Sequence, residues 1–383
     1  MIILDVEKIK KAARIIVKTG MLPFPITDTL IEIMQLLYTE EEMDFIIKAY
    51  KRKPSLTMEQ LKKITKMSED EILKNVNSLA AKGALFNQPS STGIMVYRLL
   101  PLIMVGVFEY TFMRKVQYTE KEKKIANLFD RLFDEVRDTI QDKYDAMMPM
   151  FKNIPPIDRT VPVLETTNGK EIKIEVDEEV EVPIEKILAS EKVESIIEKF
   201  DDIAVAHCFC RQHKELLGHK CEQNPPEECC FTFGKSARFV SEQGFGRLIT
   251  KEEAREILKK CDEAGLVHKA YHPHGDISKA ETSLCNCCKD CCGTFDLWRN
   301  GVVPMVNATS FLAKTNYESC VSCGTCVEKC PVDAIKMNEE NLPERNEDWC
   351  IGCGVCARFC PENAIFLIKK PRTVFVPPPK IRS

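Results

Sequence analysis

Three observations predict an α+β chain of several domains: a helical front region, a Cys-rich α/β middle module and a C-terminal βαβ repeat. First, the chain has 383 residues and 19 cysteines, the first being Cys208, where uniform scatter would place about ten earlier, so a cysteine-free front half is joined to a cysteine-rich back half. Second, the front half carries apolar residues at helical spacing between capping residues. Third, the last third carries one cysteine pattern twice, each copy running into an apolar segment. Five stretches follow: 1–117 helical, 118–154 amphipathic helix and linker, 155–310 cysteine-rich, 311–370 the repeat, and 371–383 a proline-rich tail.

Composition narrows the class. Lys+Arg 54 against Asp+Glu 58 gives a net charge of -4, so no global charge marks a nucleic-acid binder. Hydrophobic residues make up 44%, enough for packed cores, and Gly 16 with Pro 21 is too little for a low-complexity or collagen-like chain. The first residues, MIILDVEKIKK, lack a basic n-region followed by a long apolar h-region, so a cytoplasmic chain is expected. There thiols stay reduced, and dense cysteine means metal rather than disulfide. The longest apolar stretch, from Leu99 to Phe112, is too short for a membrane span and contains Glu109.

Residues 6–18 have helical spacing, with Gly20 as a stop. Thr39 with Glu42 fits a capping box for a helix to about Tyr50. A second helix starts at Ser55 or Thr57, and a third at Ser68, with Glu71 three residues on, running to Gly83. ALFNQ and GIMVYRLL flank the turn-rich PSSTG as a hairpin. Three helices followed by a hairpin resemble a winged helix over about 60 residues. Such domains often read DNA with the third helix, but here that helix opens on Glu69, Asp70 and Glu71, which repel phosphate, and Lys74 and Lys82 compensate poorly. Protein interaction or dimerisation is the expectation for this region rather than DNA binding. Residues 118–148 form an amphipathic helix with Ile125, Leu128, Phe129, Leu132, Phe133 and Val136 on its apolar stripe, as a packed helix or dimer seam. Met147, Met148 and Met150 read as adaptable packing, NIPPIDRTVPV as a linker, and the alternating VDEEVEVP as a solvated strand.

The middle module holds Cys208, Cys210, Cys221, Cys229, Cys230, Cys261, Cys285, Cys287, Cys288, Cys291 and Cys292. A loop, a helix opened by Thr250 and a strand after Gly265 separate two groups and can return them to one site. Cys261, on that helix, reads as a buried structural thiol. The other ten are two more than two cubanes need. Successive side chains diverge, so the adjacent pairs Cys229/Cys230, Cys287/Cys288 and Cys291/Cys292 cannot all bind one metal. The ligand candidates are Cys208, Cys210, Cys221, Cys229, Cys285, Cys287, Cys288, Cys291 and Cys292, for one or two further iron–sulfur clusters, with zinc or a redox-active thiol pair as alternatives. Arg211, Lys235, Arg238 and Arg247 flank them as cluster-stabilising cations or ordinary surface charge. His207 and His213 are weaker ligand candidates, and His272 and His274 are placed in an exposed turn.

Near the tail, Cys320, Cys323, Cys326 and Cys330-Pro331 give C-x2-C-x2-C-x3-C-P, and Cys350, Cys353, Cys356 and Cys360-Pro361 repeat it 30 residues later. This resembles the bacterial-type 2[4Fe–4S] ferredoxin domain. The resemblance implies that Cys320, Cys323, Cys326 and Cys360 hold one cluster, and Cys350, Cys353, Cys356 and Cys330 the other. Gly324, Gly352 and Gly354 allow the tight backbone that points amides at sulfur. A zinc site takes four ligands from two pairs, which a duplicated run of four cysteines and a proline does not match. Four-thiolate cubanes leave no open coordination site, so outer-sphere electron transfer is expected rather than substrate chemistry. The whole back half resembles poorly characterised 4Fe–4S dicluster proteins of anaerobic microbes, which implies a redox role.

Other motifs fail. GKS at residues 234–236 lacks the P-loop glycine, Gly244-Phe-Gly246 lacks a third glycine, and no H-E-x-x-H, G-x-S-x-G or C-x3-C-x2-C is present. The sequence therefore predicts a non-catalytic electron carrier or oxidoreductase subunit, partnered by a redox protein and self-associating through its front helices. The alternatives are a redox-sensing winged-helix regulator and a redox enzyme with an unusual middle cluster.

Overall fold

The computed structural model describes residues 5–20, 24–176, 192–273, 276 and 278–381. It is a mixed helix and sheet structure that divides into two compact units. The acidic stretch from residue 177 to 183 and His274 lie outside the described residues.

One unit comprises residues 1–136 with 206–219 and 237–247. Helix α1 (Val6–Thr19) is capped by Asp5 and buries Ile9, Ala12, Ala13 and Ile16, a stripe at three- and four-residue spacing. Helix α2 (Asp28–Leu37) is capped by Thr27. Thr39 and Glu42 close the capping box of α3 (Glu40–Ala49). Strand β1 (Ser55–Leu56) precedes α4 (Met58–Thr65), whose cap is Thr57 rather than Ser55, because Thr57 pairs reciprocally with Gln60. Ser68 and Glu71 open α5 (Glu69–Ala80) in the same way. Strands β2 (Leu85–Pro89) and β3 (Met95–Leu99) form an antiparallel hairpin, and the three strands order as β1-β3-β2.

Two buried polar side chains, Glu42 and Gln212, are satisfied within this unit. Glu42, 3% exposed, accepts from Lys82 Nζ and Ser78 Oγ at 2.6 Å each. Helix α6 (Val107–Met113) places Phe108 edge-on to Phe129 of α7 (Glu120–Asp142) at 5.0 Å. The helix Phe209–Leu216 packs on α6, with the Phe209 and His213 rings 6.0 and 5.1 Å from that of Phe108. Gln212 Nε2 donates to Arg114 O at 2.7 Å, and its Oε1 accepts from Val116 N at 2.9 Å.

The other unit comprises residues 137–205, 220–236 and 248–383. Its strands are β4 (Asp158–Val161), β5 (Ile174–Val176), β6 (Ile203–His207), β7 (Glu228–Phe233), β8 (Arg247–Leu248), β9 (Val267–Tyr271), β10 (Ser283–Cys287), β11 (Met305–Thr315), β12 (Ile335–Met337), β13 (Pro343–Arg345) and β14 (Ile365–Val376). Nine form one sheet in the order β5-β14-β11-β4-β9-β10-β7-β6-β8, the last residues of β6 and first of β8 belonging to the other unit, while β12 and β13 pair separately. Strands β11 and β14 run antiparallel from Met305↔Val376 to Thr315↔Ile365, with a register shift between Thr309 and Phe311.

Several expectations are revised. The linker residues 158–161 form β4 between β11 and β9, because Asp158 finds the buried Lys269 ammonium at 2.7 Å and the Asn307 amide. Strand β14 extends past residue 370 to Val376, so part of the proline-rich tail is sheet. The loop after Phe233 contains the helix Lys235–Glu242, which buries Ala237, Phe239 and Val240. His272 is buried rather than in an exposed turn, with Nδ1 2.7 Å from Lys279 O. Among the described residues, no helix is long and apolar enough to cross a membrane.

Candidate metal centres

The long β11–β14 ladder brackets both cysteine runs. Cys320, Cys323 and Cys326 follow β11, and Cys350, Cys353 and Cys356 precede β14. Each triplet's third cysteine is the second residue of a short helix, Thr325–Lys329 or Val355–Arg358, capped by Gly324 or Gly354 at the same positive φ of 75°. A Cβ on Gly352 would lie 2.1 Å from Phe311 O, and one on Gly354 2.3 Å from Val163 O. These two positions therefore exclude every other residue, and the backbone closes tightly around the thiols.

The fourth cysteine of each run crosses over. Cys320, Cys323, Cys326 and Cys360 line one cavity, and Cys330, Cys350, Cys353 and Cys356 line a second. The repeats are matched in their amides as well. Ala334 N donates to Cys330 Sγ and Ala364 N to Cys360 Sγ, each at 3.3 Å. Arg345 Nη2 approaches Cys356 Sγ at 3.7 Å while its Nη1 donates to Ala313 O at 2.9 Å.

Burial distinguishes the two cages. Cys323 is exposed and Cys320 half-buried, whereas Cys330, Cys350, Cys353 and Cys356 are all buried. Burial pushes the Cys353 thiol well up, and pushes Cys356 up to about 12 although the Arg345 guanidinium opposes it. Hydrogen bonds to Thr325 hold Cys323 below the usual thiol range. Buried sulfurs that converge on a cavity in this way become thiolates when a cation is supplied there. Iron fits that requirement, and each set offers the four sulfurs that a cubane takes.

The middle cysteines separate into groups that the sequence leaves unresolved. Cys208 caps the helix Phe209–Leu216, and Cys210 lies on it, so both belong to the first compact unit. The other nine belong to the second. There β10 pairs with β7 at Ser283↔Thr232 and Leu284↔Phe231, and the next step of this register sets Cys285 against Cys230. The thiols of Cys230, Cys285, Cys287 and Cys292 shift one another's ionisation in turn, Cys285 being affected by Cys230 and Cys287, and Cys287 by Cys285 and Cys292. Lys269, opposite Cys285 in β9, is buried. Burial lowers its pKa, but Asp158 and the Cys287 and Cys292 sulfurs raise it more, so the ammonium persists beside these thiols.

A second group lies at the far end of the same segment. Cys221, Cys288, Cys291 and Asp290 bring their ligand atoms within 4.8 Å of one another. Neither Cys230 nor Asp290 is among the sequence-derived ligands. The alternation of Cys285 and Cys287 on one strand face is the signal for Cys230, once the partner strand is known. Cys229 points elsewhere, its Sγ 3.9 Å from Asn286 O, and Cys261 is buried on the helix Lys251–Glu263. His213 contacts Ala126 O at 3.1 Å within the helical unit.

Comparison with known families identifies residues 313–367 as a 4Fe-4S dicluster domain. A search of the curated proteins found no match. The matched residues run from near the end of β11 into β14 and include all eight cysteines of the two cages.

Proposed function

We propose that this chain is an iron–sulfur electron-transfer protein, or the electron-relaying subunit of an oxidoreductase. Its C-terminal domain would hold two [4Fe–4S] clusters, one on Cys320, Cys323, Cys326 and Cys360, the other on Cys350, Cys353, Cys356 and Cys330. Bound there, each cluster accepts or releases one electron without an open coordination site. The observation that carries the reading is the crossing of Cys330 and Cys360, each lining the cavity of the other repeat's triplet.

The protein's own part is to hold sulfur and set charge. Ala334 and Ala364 amides donate to the crossing sulfurs, and Arg345 adds a cation beside the buried cage, all of which favour the reduced, more negative state. The exposed Cys323 makes the first cage the accessible end for a redox partner, while the second cage is the insulated one. Cys230, Cys285, Cys287 and Cys292, with Lys269 alongside, are the thiols for one further iron–sulfur centre. Cys208 and Cys210 are assigned to no centre in this scheme.

The front unit is read as a winged-helix-like docking or self-association module of a cytoplasmic protein. Its acidic third helix supports that reading over DNA binding, because Lys74 is paired with Glu41 at 2.9 Å and Lys82 with the buried Glu42. Anaerobic reductive titration of the full chain, followed by low-temperature electron paramagnetic resonance, tests the relay. Reversible one-electron reduction with two interacting cluster signals is expected, and a protein that takes up no electrons refutes it.

A further inference from the structure

Beyond the electron relay, the geometry points to a separate mononuclear metal site, a tetrahedral zinc-class ion held by Cys221, Cys288, Cys291 and the carboxylate of Asp290. Three features carry the assignment: the size of the donor polygon, the orientation of the carboxylate and the way the site closes two loops.

The donor atoms all lie within 4.8 Å of one another. A tetrahedral ion with metal–sulfur bonds of about 2.3 Å has ligand-to-ligand edges of about 3.8 Å, so this polygon is near the size of one ion. In a cubane each thiolate caps a different iron, and the ligands must surround an inorganic core. The two C-terminal sets each line a cavity of their own. Here, by contrast, the Cys221, Cys288 and Cys291 sulfurs and a carboxylate oxygen of Asp290 crowd into one small volume. Cys230, Cys285, Cys287 and Cys292 form no such compact ligand group among the described residues.

The carboxylate is held for ligation. Asp290 Oδ2 accepts the backbone N–H of Glu222 at 2.8 Å, which leaves Oδ1 facing Cys221 Sγ at 3.4 Å. A hydrogen bond on the non-ligating oxygen is the usual way in which a protein orients a metal-bound carboxylate. The neighbouring side chain reinforces the clamp, since Gln223 Oε1 accepts from Lys289 N and its Nε2 donates to Ala264 O and Gly265 O at 3.0 Å. Cys221 comes from the loop before β7, and Cys288 to Cys291 from the turn after β10. One ion would therefore staple together two loops 67 residues apart in sequence, with three soft sulfurs and one oxygen as a closed structural set.

The test uses full-length protein purified without air from zinc-supplemented medium. Metal analysis is expected to find about one zinc per chain in addition to the cluster iron, with X-ray absorption at the zinc edge fitting three sulfurs and one oxygen. Asp290→Asn is expected to weaken zinc retention against a chelator about tenfold or more while the iron and sulfide content stays unchanged. Cobalt substituted into the wild-type chain is expected to give thiolate charge-transfer and tetrahedral ligand-field absorption, a readout that does not depend on any variant folding. The proposal is overturned by a chain that binds neither zinc nor cobalt, by a four-sulfur shell, or by loss of iron and sulfide in Cys221→Ser at unchanged C-terminal signals. That last pattern assigns these thiols to a cluster and leaves the relay reading intact, whereas absence of the C-terminal signals would strike the relay and not this site.

Discussion

Replacing Arg345 by Gln removes the one guanidinium in hydrogen-bond contact with a cage sulfur among the described residues. Its Nη2 lies 3.7 Å from Cys356 Sγ. At an effective dielectric of about 20, a unit charge at that distance interacts with a unit charge on sulfur by about 4.5 kcal/mol. A factor of ten is about 1.4 kcal/mol or 59 mV for one electron, so the full interaction corresponds to about 190 mV. The added electron is shared over the cluster. If Cys356, one sulfur of four, feels a quarter of it, the effect falls to about 50 mV. The potential of the cluster on Cys330, Cys350, Cys353 and Cys356 is therefore expected to fall by 50 to 190 mV in Arg345→Gln, a range set by that same Coulomb estimate of about 4.5 kcal/mol. Arg345→Lys should recover much of the shift. Redox titration monitored by electron paramagnetic resonance reads both clusters in one sample. An unchanged potential, or an equal fall in the cluster on Cys320, Cys323, Cys326 and Cys360, refutes the assignment of Cys356 to the cage beside Arg345.

Three further outcomes follow from the same geometry. Cys353→Ala is expected to remove one ferredoxin-type signal and spare the middle-module spectrum, as measured by iron analysis and magnetic resonance of the anaerobic protein. Gly354→Ala places a methyl group 2.3 Å from Val163 O at a φ of 75°, so it should cost the buried cage its iron while the helical front unit keeps its circular dichroism. His268 is buried with Nε2 2.7 Å from Asp262 Oδ1 and Nδ1 2.6 Å from Asn286 Oδ1, so both ring nitrogens face oxygen and the imidazolium is favoured. Burial lowers its pKa, but the Asp262 carboxylate outweighs that and raises it to about 9. A folded pKa above the unfolded value of about 6.5 contributes stability that is fully present below pH ~6.5 and lost as pH rises through ~9, up to about 3 kcal/mol. Thermal unfolding of His268→Gln should thus lie below wild type at pH 6 and converge with it above pH 9; a gap independent of pH counts against the charged histidine.

What the sequence made legible was whatever is decided locally. The capping pairs Thr39/Glu42 and Ser68/Glu71 each satisfy backbone donors within four residues, so they mark helix starts directly. The two C-x2-C-x2-C-x3-C-P runs mark the cage cysteines in the same local way, and their crossing is what the resemblance to a dicluster ferredoxin domain implies. Pairing between distant strands is what escaped. Cys230 belongs with Cys285 only because β7 runs beside β10, and nothing near residue 230 states that register. Asp290 sits inside CKDCC, and nothing in that string marks its carboxylate as a ligand until the loop carrying Cys221 is brought beside it. Asp158 looked like linker polarity, yet it meets a lysine 111 residues away in the middle of a sheet. Cys208 and Cys210 stand close in sequence to Cys221, but their helix is anchored to α6 by Phe209, Gln212 and His213.

The central claim meets its most direct measurement in iron and acid-labile sulfide analysis of the C-terminal centres, made on full-length Cys353→Ala and Cys323→Ala beside wild type, all prepared without oxygen. Two independent cubanes predict that each variant loses about four irons and four sulfides and keeps the other cage's reduced-state resonance. A wild-type chain that is colourless and free of sulfide, with zinc in the cysteine cages, contradicts the account.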